Sequence, residues 1–248
     1  MPKINGQYCA VIWHGYDVSG KSRQFEFNDE HTEEEATAFQ DGAINSQGGL
    51  SNIDGNVQSF MDSPLDLGAF EAYKSPGGST DKVLMILFGV EAVPDEGDFG
   101  VAALMKQFQV VSGMVPTEKV PFDANFLSSG YKADHGQVLD YATITDTKDC
   151  DEVDFGAIST VGITSYLSVF KGTAEDTPGT DTYVIKVQHS VAGGGSWIDY
   201  ETFVSDGSAR TSERIENALT CQRYRKAQLT RTGAAGDDLG FAILVADN

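Results

Sequence analysis

The stretch HTEEEATAFQDGAINSQGGLSNIDGNVQSFMD, residues 31–62, carries the signals that most restrict the fold. Its beginning predicts a short helix, because Thr32 and Glu35 have the spacing of an S/T-x-x-E capping box. Two further glutamates lie between them, in the first turn, where the helix dipole favours negative charge. The predicted helix ends near Asp41, and the sequence GAINSQGG that follows predicts a glycine-bearing loop.

The end of the same stretch predicts a half-buried strand, because apolar or small residues alternate with mostly polar ones at a period of two. One face of this strand is formed by Ile53, Gly55, Val57, Ser59 and Met61, and the other by Asp54, Asn56, Gln58, Phe60 and Asp62. Ser63-Pro64 then supplies an N-cap and a proline for the first helical position, so LDLGAFEAY predicts a second short helix.

Other segments of the first half also predict strands. RQFEFND (23–29) and VPFDANFLSSG (120–130) alternate, whereas KVLMILFG (82–89) is apolar throughout and predicts a strand buried on both faces. VAALMKQFQVVSGMV (101–115) fits a helix or a strand at its start and a strand at its end. The first half therefore predicts a β-sandwich or barrel-forming sheet with one or two short helices.

The second half predicts a separate β-sandwich. ITDTKDCDEVDFG (144–156) is polar and acidic without clear periodicity, which is typical of a linker. Beyond it, short strand-like segments alternate with turn sequences such as AGGG and SDGSAR, which favours an immunoglobulin-like or jelly-roll-like sandwich. The predicted fold is mainly β, with a first domain at 1–145, an acidic linker at 146–155 and a C-terminal domain at 156–248.

The composition restricts the partners of the chain. Its 248 residues include 17 Lys and Arg against 37 Asp and Glu, and the net charge of −20 disfavours ordinary binding to nucleic acids or anionic membranes. No apolar run approaches the roughly 20 residues that span a membrane, and the N-terminus has no signal-peptide pattern. Three widely spaced cysteines, Cys9, Cys150 and Cys221, predict free thiols rather than a disulfide framework.

Motifs for catalysis or metal binding are weak. Acidic residues cluster at 29–35 and in DEGDFG (95–100), but neither segment has EF-hand spacing, and a solvated surface is the simpler interpretation. The sequence contains no HExxH, no Cys-x-x-Cys and no G-x-S-x-G nucleophile motif. We therefore expect a protein that is not an enzyme and that has no cofactor and no metal.

One group of residues suggests a ligand face in the C-terminal domain. Trp197 and Tyr200 can form a platform on which a sugar stacks, and Arg223 belongs to the basic cluster RYRK (223–226). The alternative is that the two aromatic residues belong to the core or its rim, and that RYRK is the wet face of a strand. The sequence favours this alternative without deciding it.

Residues 3–140 resemble the tail tube (major tail) proteins of long-tailed, non-contractile bacteriophages. In that family a D-(V/L)-S-G turn follows the first strand, a T-x-F-x-D helix end precedes a G-L loop, and an alternating strand closes in x-F-x-D. The corresponding sequences occur here in the same order: DVSG (17–20), TAFQD (37–41), GL (49–50) and SFMD (59–62), with a final strand near FDA (122–124).

The resemblance implies a structural virion protein of the phage tail, assembled in the host cytoplasm. Subunits of that family form rings, usually hexamers, which stack into a tube through whose lumen DNA passes during ejection without specific binding. The implied partners are further copies of the chain and other tail proteins at the tail tip and terminator, with no membrane anchor.

The same resemblance assigns roles to particular residues of this chain. The lumen acids would be Glu26, Asp54 and Asp62, and the C-terminal domain would lie on the tube exterior. The loop that stacks one ring on the next would consist of Gly42, Ala43, Ile44, Asn45, Ser46, Gln47, Gly48, Gly49, Leu50, Ser51 and Asn52.

Two other interpretations fit the same sequence. A capsid decoration or neck protein would share the β-rich, acidic character but would bind capsids or form closed rings that do not stack. A glycan-binding module would use the C-terminal domain, with Trp197, Tyr200 and Arg223 as its ligand face.

Overall fold

The computed structural model describes residues 6–35, 46–60, 72–73, 81–112, 121–128, 132–173, 181–234 and 236–248. The fold of these residues is mainly β, as the sequence predicts. Two 3₁₀ helices occupy Gly6–Tyr8 and Ser19–Lys21, and no described helix is long and apolar enough to cross a membrane.

The sixteen strands of the described residues are numbered in chain order. They are β1 (Cys9–Trp13), β2 (Tyr16–Asp17), β3 (Ser22–Glu35), β4 (Ser46–Phe60), β5 (Lys82–Phe88), β6 (Phe99–Ser112), β7 (Pro121–Ser128), β8 (Asp134–Ile144), β9 (Lys148–Asp149), β10 (Val153–Asp154), β11 (Ile163–Lys171), β12 (Thr182–Ser190), β13 (Ile198–Thr202), β14 (Thr211–Asn217), β15 (Tyr224–Thr232) and β16 (Leu239–Asp247).

The chain divides into two compact units. The first unit contains Met1–Gly20, Lys82–Ala102 and Asp134–Asn248, and the second contains Lys21–Asp81 and Ala103–Ala133. Each unit therefore combines segments that are distant in the sequence.

A curled sheet forms one layer of the first unit, in the order β14-β11-β16-β8-β6-β5-β1-β2. Only the start of β6, as far as Ala102, belongs to this unit, and the rest of β6 belongs to the second. The five central residues of β5 are buried, which confirms the prediction of a strand covered on both faces. The sheet curls until its two ends meet: the His14 imidazole hydrogen-bonds the Ser212 hydroxyl (3.2 Å), and the Arg210 guanidinium donates to the carbonyls of Gly15 and Phe170. The turn between β1 and β2 has positive φ at His14 and Gly15, as a tight two-residue hairpin requires.

The second layer of the first unit is a sheet in the order β10-β15-β12-β13, with β9 also paired to β15. Its inner side chains pack against the curled sheet in one apolar core, which includes Ile185 and Leu229 from one layer and Leu167 and Phe241 from the other. Removing these apolar side chains from water is the main stabilising contribution to such a sandwich. A sandwich is therefore present, but it is not the separate domain predicted at 156–248, because strands from the first half of the sequence belong to its curled layer.

The second unit contains an antiparallel sheet in the order β3-β4-β7-β6. The alternation predicted for β4 is confirmed within the described residues, because Ile53, Val57 and Ser59 are buried while Asp54 and Asn56 are partly exposed. This sheet therefore has one apolar face and one wet face.

The predicted helix that begins at Thr32 is wrong where the structure describes it. Residues as far as Glu35 belong to β3, with Glu33 opposite Gly48 and Glu35 opposite Ser46 on β4. A helix cap contributes only about 1 kcal/mol, and a ladder that extends along the whole of β3 outweighs it. The remainder of the predicted helix, 36–41, lies outside the described residues.

The second predicted helix, 65–73, is described at its last two residues only. Ala72 and Tyr73 are helical, and 65–71 lies outside the described residues.

The predicted linker at 146–155 is also wrong. It contains β9 and β10, which both pair with β15, and its Cys150 and Val153 side chains are buried. In addition β8, from the predicted first domain, pairs with β16 at the end of the chain. The boundaries at 145 and 156 therefore cut through one sandwich, while the position of 156–248 on a tube exterior stays a prediction.

Candidate assembly surface of the second unit

A row of polar side chains, which we call the polar row, crosses the second unit with one residue on each strand. Glu26, Asn56, Asn125 and Gln109 are successive partners in the register of β3, β4, β7 and β6. The Asn56 amide donates to the side-chain oxygen of Asn125 (2.7 Å), and the Asn125 amide donates to that of Gln109 (3.3 Å). Glu26 and Gln109, at the two ends of the row, are exposed.

Further polar contacts continue this wet face on both sides of the row. The Gln24 amide donates to the Glu26 carboxylate (2.6 Å), and the Asn28 amide donates to the Asp54 carboxylate (3.2 Å). Lys106, on the same face, has an ion pair with Asp81 (3.5 Å). The face therefore consists mainly of amides and carboxylates.

The opposite face of the sheet is apolar and covered. The Tyr73 ring meets the Phe126 ring edge to face, with centroids 6.0 Å apart, and the Gln107 amide donates to the Tyr73 carbonyl oxygen (2.9 Å). Phe25 and Phe27 on β3 stack side by side at 6.4 Å and are half buried. Packing on one face thus leaves the polar row as the solvent side of the unit.

The sheet of the second unit has two edges at which the structure describes a neighbour on one side only, and we call these the open edges. Among the described strands, β3 pairs with β4 alone. β6 also pairs with β8 and β5, and its residues Gln107–Ser112 have their register partners on β7. A bulge between Gln107 and Gln109 leaves Phe108 out of the ladder with β7, and its side chain is 53% exposed. An unpaired strand edge is a template on which another chain can add a strand.

Seven of the eleven residues predicted for the stacking loop belong to a strand. Ser46, Gln47, Gly48, Gly49, Leu50, Ser51 and Asn52 belong to β4 rather than to a loop, and their backbones face β3. Paired glycines permit a turn but do not require one, and the register continues through Gly48. The four other predicted residues, Gly42–Asn45, lie outside the described residues.

Two of the three predicted lumen acids fall on the same surface. Glu26 and Asp54 both lie on the wet face, because Glu26 opposes Asn56, and Asn28 opposes Asp54. Asp62 lies outside the described residues.

The three predicted ligand residues of the first unit each contact different partners. The Trp197 ring lies 4.7 Å from the Lys226 ammonium, whereas Tyr200 packs on His189 with ring centroids 4.9 Å apart and its hydroxyl donates to the Leu219 carbonyl. Burial raises the pKa of Tyr200 to about 12.

Arg223, the third predicted ligand residue, is engaged by a carboxylate. Its Nε and Nη2 atoms donate to the two oxygens of Asp154 at 2.5 Å each. These hydrogen bonds lower the pKa of Asp154 to about 2. The Arg223 guanidinium therefore forms a bidentate ion pair with Asp154.

The wet-face interpretation of RYRK is wrong for two of its residues. Arg225 is fully buried, with its guanidinium 4.0 Å from the Phe155 ring centroid and 2.7 Å from an Asp247 oxygen. Lys226 is also buried and has an ion pair with Asp149 (2.5 Å).

The acidic segment DEGDFG (95–100) forms an ion pair with Lys148, which belongs to the same unit. Lys148 lies 3.6 Å from Glu96 and 2.5 Å from Asp140, which also accepts a hydrogen bond from the Cys150 thiol (3.0 Å). Burial raises the pKa of Glu96 to about 7. In the part of the chain that the structure describes, no group of three or more His, Cys, Asp or Glu side chains could hold a metal ion.

Sequence reasoning missed one end of the polar row. Asn56 and Asn125 follow from the alternation of their strands, but Gln109 does not. The bulge at Phe108 shifts the alternation of β6 by one residue, and nothing in the sequence marks that position as a bulge.

No family model matches the chain, and no curated protein matches it. Among solved structures, the SPP1 tail tube has a TM-score of 0.43 and 9% identity, covering 53% of this chain and 78% of that one. The tail of an empty gene transfer agent particle with C6 symmetry has a TM-score of 0.36 and 15% identity, covering 52% and 96%.

A further similarity extends over nearly the whole chain. The SPP1 Dit protein, described as a hub adsorption apparatus of phages that infect Gram-positive bacteria, has a TM-score of 0.30 and 11% identity, covering 96% of this chain and 98% of that one. Solved structures to which the chain is similar thus include a phage tail tube, a phage tail hub and gene transfer agents.

Proposed function

We propose that this chain is a structural subunit of the tail tube of a long-tailed, non-contractile bacteriophage. The observation that carries the proposal is the sheet of the second unit, which combines two edges that have no further partner among the described strands with an exposed polar face. The ordered motifs between residues 17 and 62 point to the same family. The role is mechanical, and no step of it requires a catalytic residue.

The strand directions of this sheet suit a ring. Because all neighbours are antiparallel and there are four strands, β3 and β6 run in opposite directions. When β6 of one copy lies beside β3 of the next, the antiparallel order continues across the subunit boundary. Such a contact joins two different surfaces, so it closes into a ring when the rotation between copies allows. Closure also removes the open edges.

The exposed polar face would then line the lumen. Glu26 and Asp54 would repel the phosphates of passing DNA, and the amides of the polar row would offer it only neutral contacts. A net charge of −20 adds to that repulsion. We extend the same role to Asp62.

Stacking of rings is assigned to the connection between β3 and β4. Gly42–Asn45 remain candidates for contact with the next ring, and Ser46–Asn52 would carry them as part of a long hairpin. At about 3.3 Å per residue, the 14 residues of β3 and the 15 residues of β4 each span roughly 45 Å. Sixfold rings, other tail proteins as partners, assembly in the host cytoplasm and a place in the virion complete the proposal.

Negative-stain electron microscopy of the purified chain tests this function. The chain would be examined over a concentration series in low and moderate salt, because screening weakens repulsion between subunits of charge −20. Hollow tubes with a regular axial repeat are expected, more readily at moderate salt. A variant that lacks Gly42–Asn45 should give rings that do not stack.

Two results would contradict the proposal. Closed rings of the unmodified chain that never stack would favour a neck protein. Particles that bind capsids without forming tubes would favour a capsid decoration protein.

A further inference from the structure

We propose that the Gln109 amide of one copy donates a hydrogen bond to the Glu26 carboxylate of the next, and that this contact fixes the register between subunits. The inference rests on the proposed function, since it needs β6 of one copy beside β3 of another. To that function it adds which residues oppose each other across the boundary between two copies, and the physical reason for this register.

The polar row has the same donor direction at each step that the structure describes. Asn56 donates to Asn125, and Asn125 donates to Gln109, so hydrogen bonds run from β4 towards β6. At the β6 end, the oxygen of Gln109 is used as an acceptor, while its NH₂ group donates no hydrogen bond within the described residues. An exposed amide donor therefore stands at one open edge of the sheet.

The other open edge presents a matching acceptor. Glu26 on β3 is exposed, and the only hydrogen bond of its carboxylate among the described residues comes from Gln24 (2.6 Å). A carboxylate accepts several hydrogen bonds, so the Glu26 oxygens keep room for another donor. Hydrogen bonds from an amide to a charged carboxylate are stronger than those between neutral groups.

The register that joins Gln109 to Glu26 also satisfies the apolar face. Directly opposed residues of an antiparallel pair share a face, so Val110 would meet Phe25. The bulged Phe108, which is exposed in the single chain, would come beside Phe27. A shift of the pairing by one residue would place Glu26 on the apolar face and is therefore excluded.

The sequences of the two edges favour this partner over a symmetric one. β3 contains six acidic residues and one arginine, whereas β6 contains one lysine and no acidic residue. Pairing β3 with β3 would bring two acidic strands together, and like charges directly opposite each other are destabilising. The edge β3 therefore fits β6 of a second copy better than it fits itself.

Disulfide trapping tests the register. In a Cys9→Ser background, the variants Glu26→Cys and Gln109→Cys are mixed and oxidised with oxidised glutathione at high protein concentration. Opposed residues have Cα atoms roughly 5 Å apart, within the range of a disulfide. The matched control mixes Glu26→Cys with Val111→Cys, two residues further along β6, whose Cα would lie roughly 8 Å from that of residue 26.

The expected result is a cross-linked dimer in the Gln109 mixture and at least tenfold less in the Val111 mixture. A dominant cross-link in the Val111 mixture, or none in either while the wild-type chain forms tubes, would overturn the register and leave the proposed function standing. Glu26→Cys linked mainly to itself, with no tubes from the wild-type chain, would overturn both.

An exchange of the two side chains supplies a second test without cysteines. Gln109→Glu places two carboxylates in opposition and should raise the protein concentration needed for assembly about tenfold. Adding Glu26→Gln restores one amide and one carboxylate and should return that concentration to within about threefold of the wild type. Failure of the double variant to recover would show that the two side chains do not meet.

Discussion

The two units of this chain use their polar side chains in opposite ways. In the first unit, charged groups close on one another inside the fold, as in the Arg231–Asp181 ion pair (2.8 Å) and the hydrogen bond from Tyr166 to Asp134 (2.5 Å). In the second unit, one carboxylate and three amides form the polar row on an exposed face, and the row ends at the two open edges. Polar groups that bond to each other inside a fold stabilise the subunit, whereas a polar row that ends at open edges can bond to a neighbouring copy.

The largest expected effect is on the core of the first unit. Phe241→Ala should lower the free energy of unfolding by about 3–5 kcal/mol, because a fully buried ring leaves a cavity. Phe99→Ala, in the same unit but with a 45% exposed ring, should cost less than half as much. Urea unfolding followed by circular dichroism measures both, and equal losses would mean that the sandwich core is not where its stability lies.

The next effect compares a buried ion pair with an exposed one. Asp181→Ala leaves Arg231 without its buried partner and should cost about 3 kcal/mol. Asp199→Ala removes the more exposed partner of Lys186 (2.6 Å) and should cost less than about 1 kcal/mol. Urea unfolding measures both losses of stability. A larger loss for Asp199→Ala than for Asp181→Ala would contradict the view that buried ion pairs stabilise the first unit more than exposed ones.

A smaller effect concerns pH. Burial raises the pKa of Glu201 to about 7, against roughly 4.3 in an unfolded chain, so the folded state holds this proton more tightly. The stabilisation that comes from the protonated Glu201 carboxyl is therefore fully present below about pH 4.3. It is lost as the pH rises to about 7. Relative to Glu201→Gln, the wild-type chain should lose on the order of 2–3 kcal/mol of stability across that range.

Glu91→Gln is the control for this comparison, because Glu91 is exposed. The change with pH of the difference between the wild type and Glu201→Gln should exceed that measured for Glu91→Gln. A difference for Glu201→Gln that is equally flat between pH 4 and 7.5 would contradict the raised pKa.

The smallest effect sharpens the role of the exposed polar face. In assembled tubes, Asp54→Lys should slow the release of a short DNA duplex roughly twofold at low salt, through added phosphate contacts. Glu91→Lys makes the same change of charge on an exposed residue of the first unit and should have a weaker effect. Equal retention by both variants would argue against a lumen lined by Asp54.

The sequence predicted those parts of the fold that depend on periodicity. β5 is buried on both faces because all of its central residues are apolar, and β4 alternates from Ile53 to Ser59 as expected. The helix at Thr32 failed because a local cap competes with a ladder that forms only when distant residues of β3 and β4 meet.

The linker failed for a similar reason. The residues between Asp146 and Phe155 show no hydrophobic periodicity, yet they form two short strands because their backbones pair with β15. The candidate surface was predictable at Glu26 and Asp54, where side chains alternate regularly. It was not predictable at Gln109, whose face depends on a bulge.

Hydrogen–deuterium exchange, compared between the dilute chain and concentrated, assembled material, tests the central claim most directly. Backbone amides of β3 and of Gln107–Ser112 should gain protection on assembly, because pairing between copies closes these edges. Amides of β13 and β14, at sheet edges of the first unit, should change little. New protection in β13 or β14, with β3 and β6 unchanged, would contradict assembly through the open sheet of the second unit.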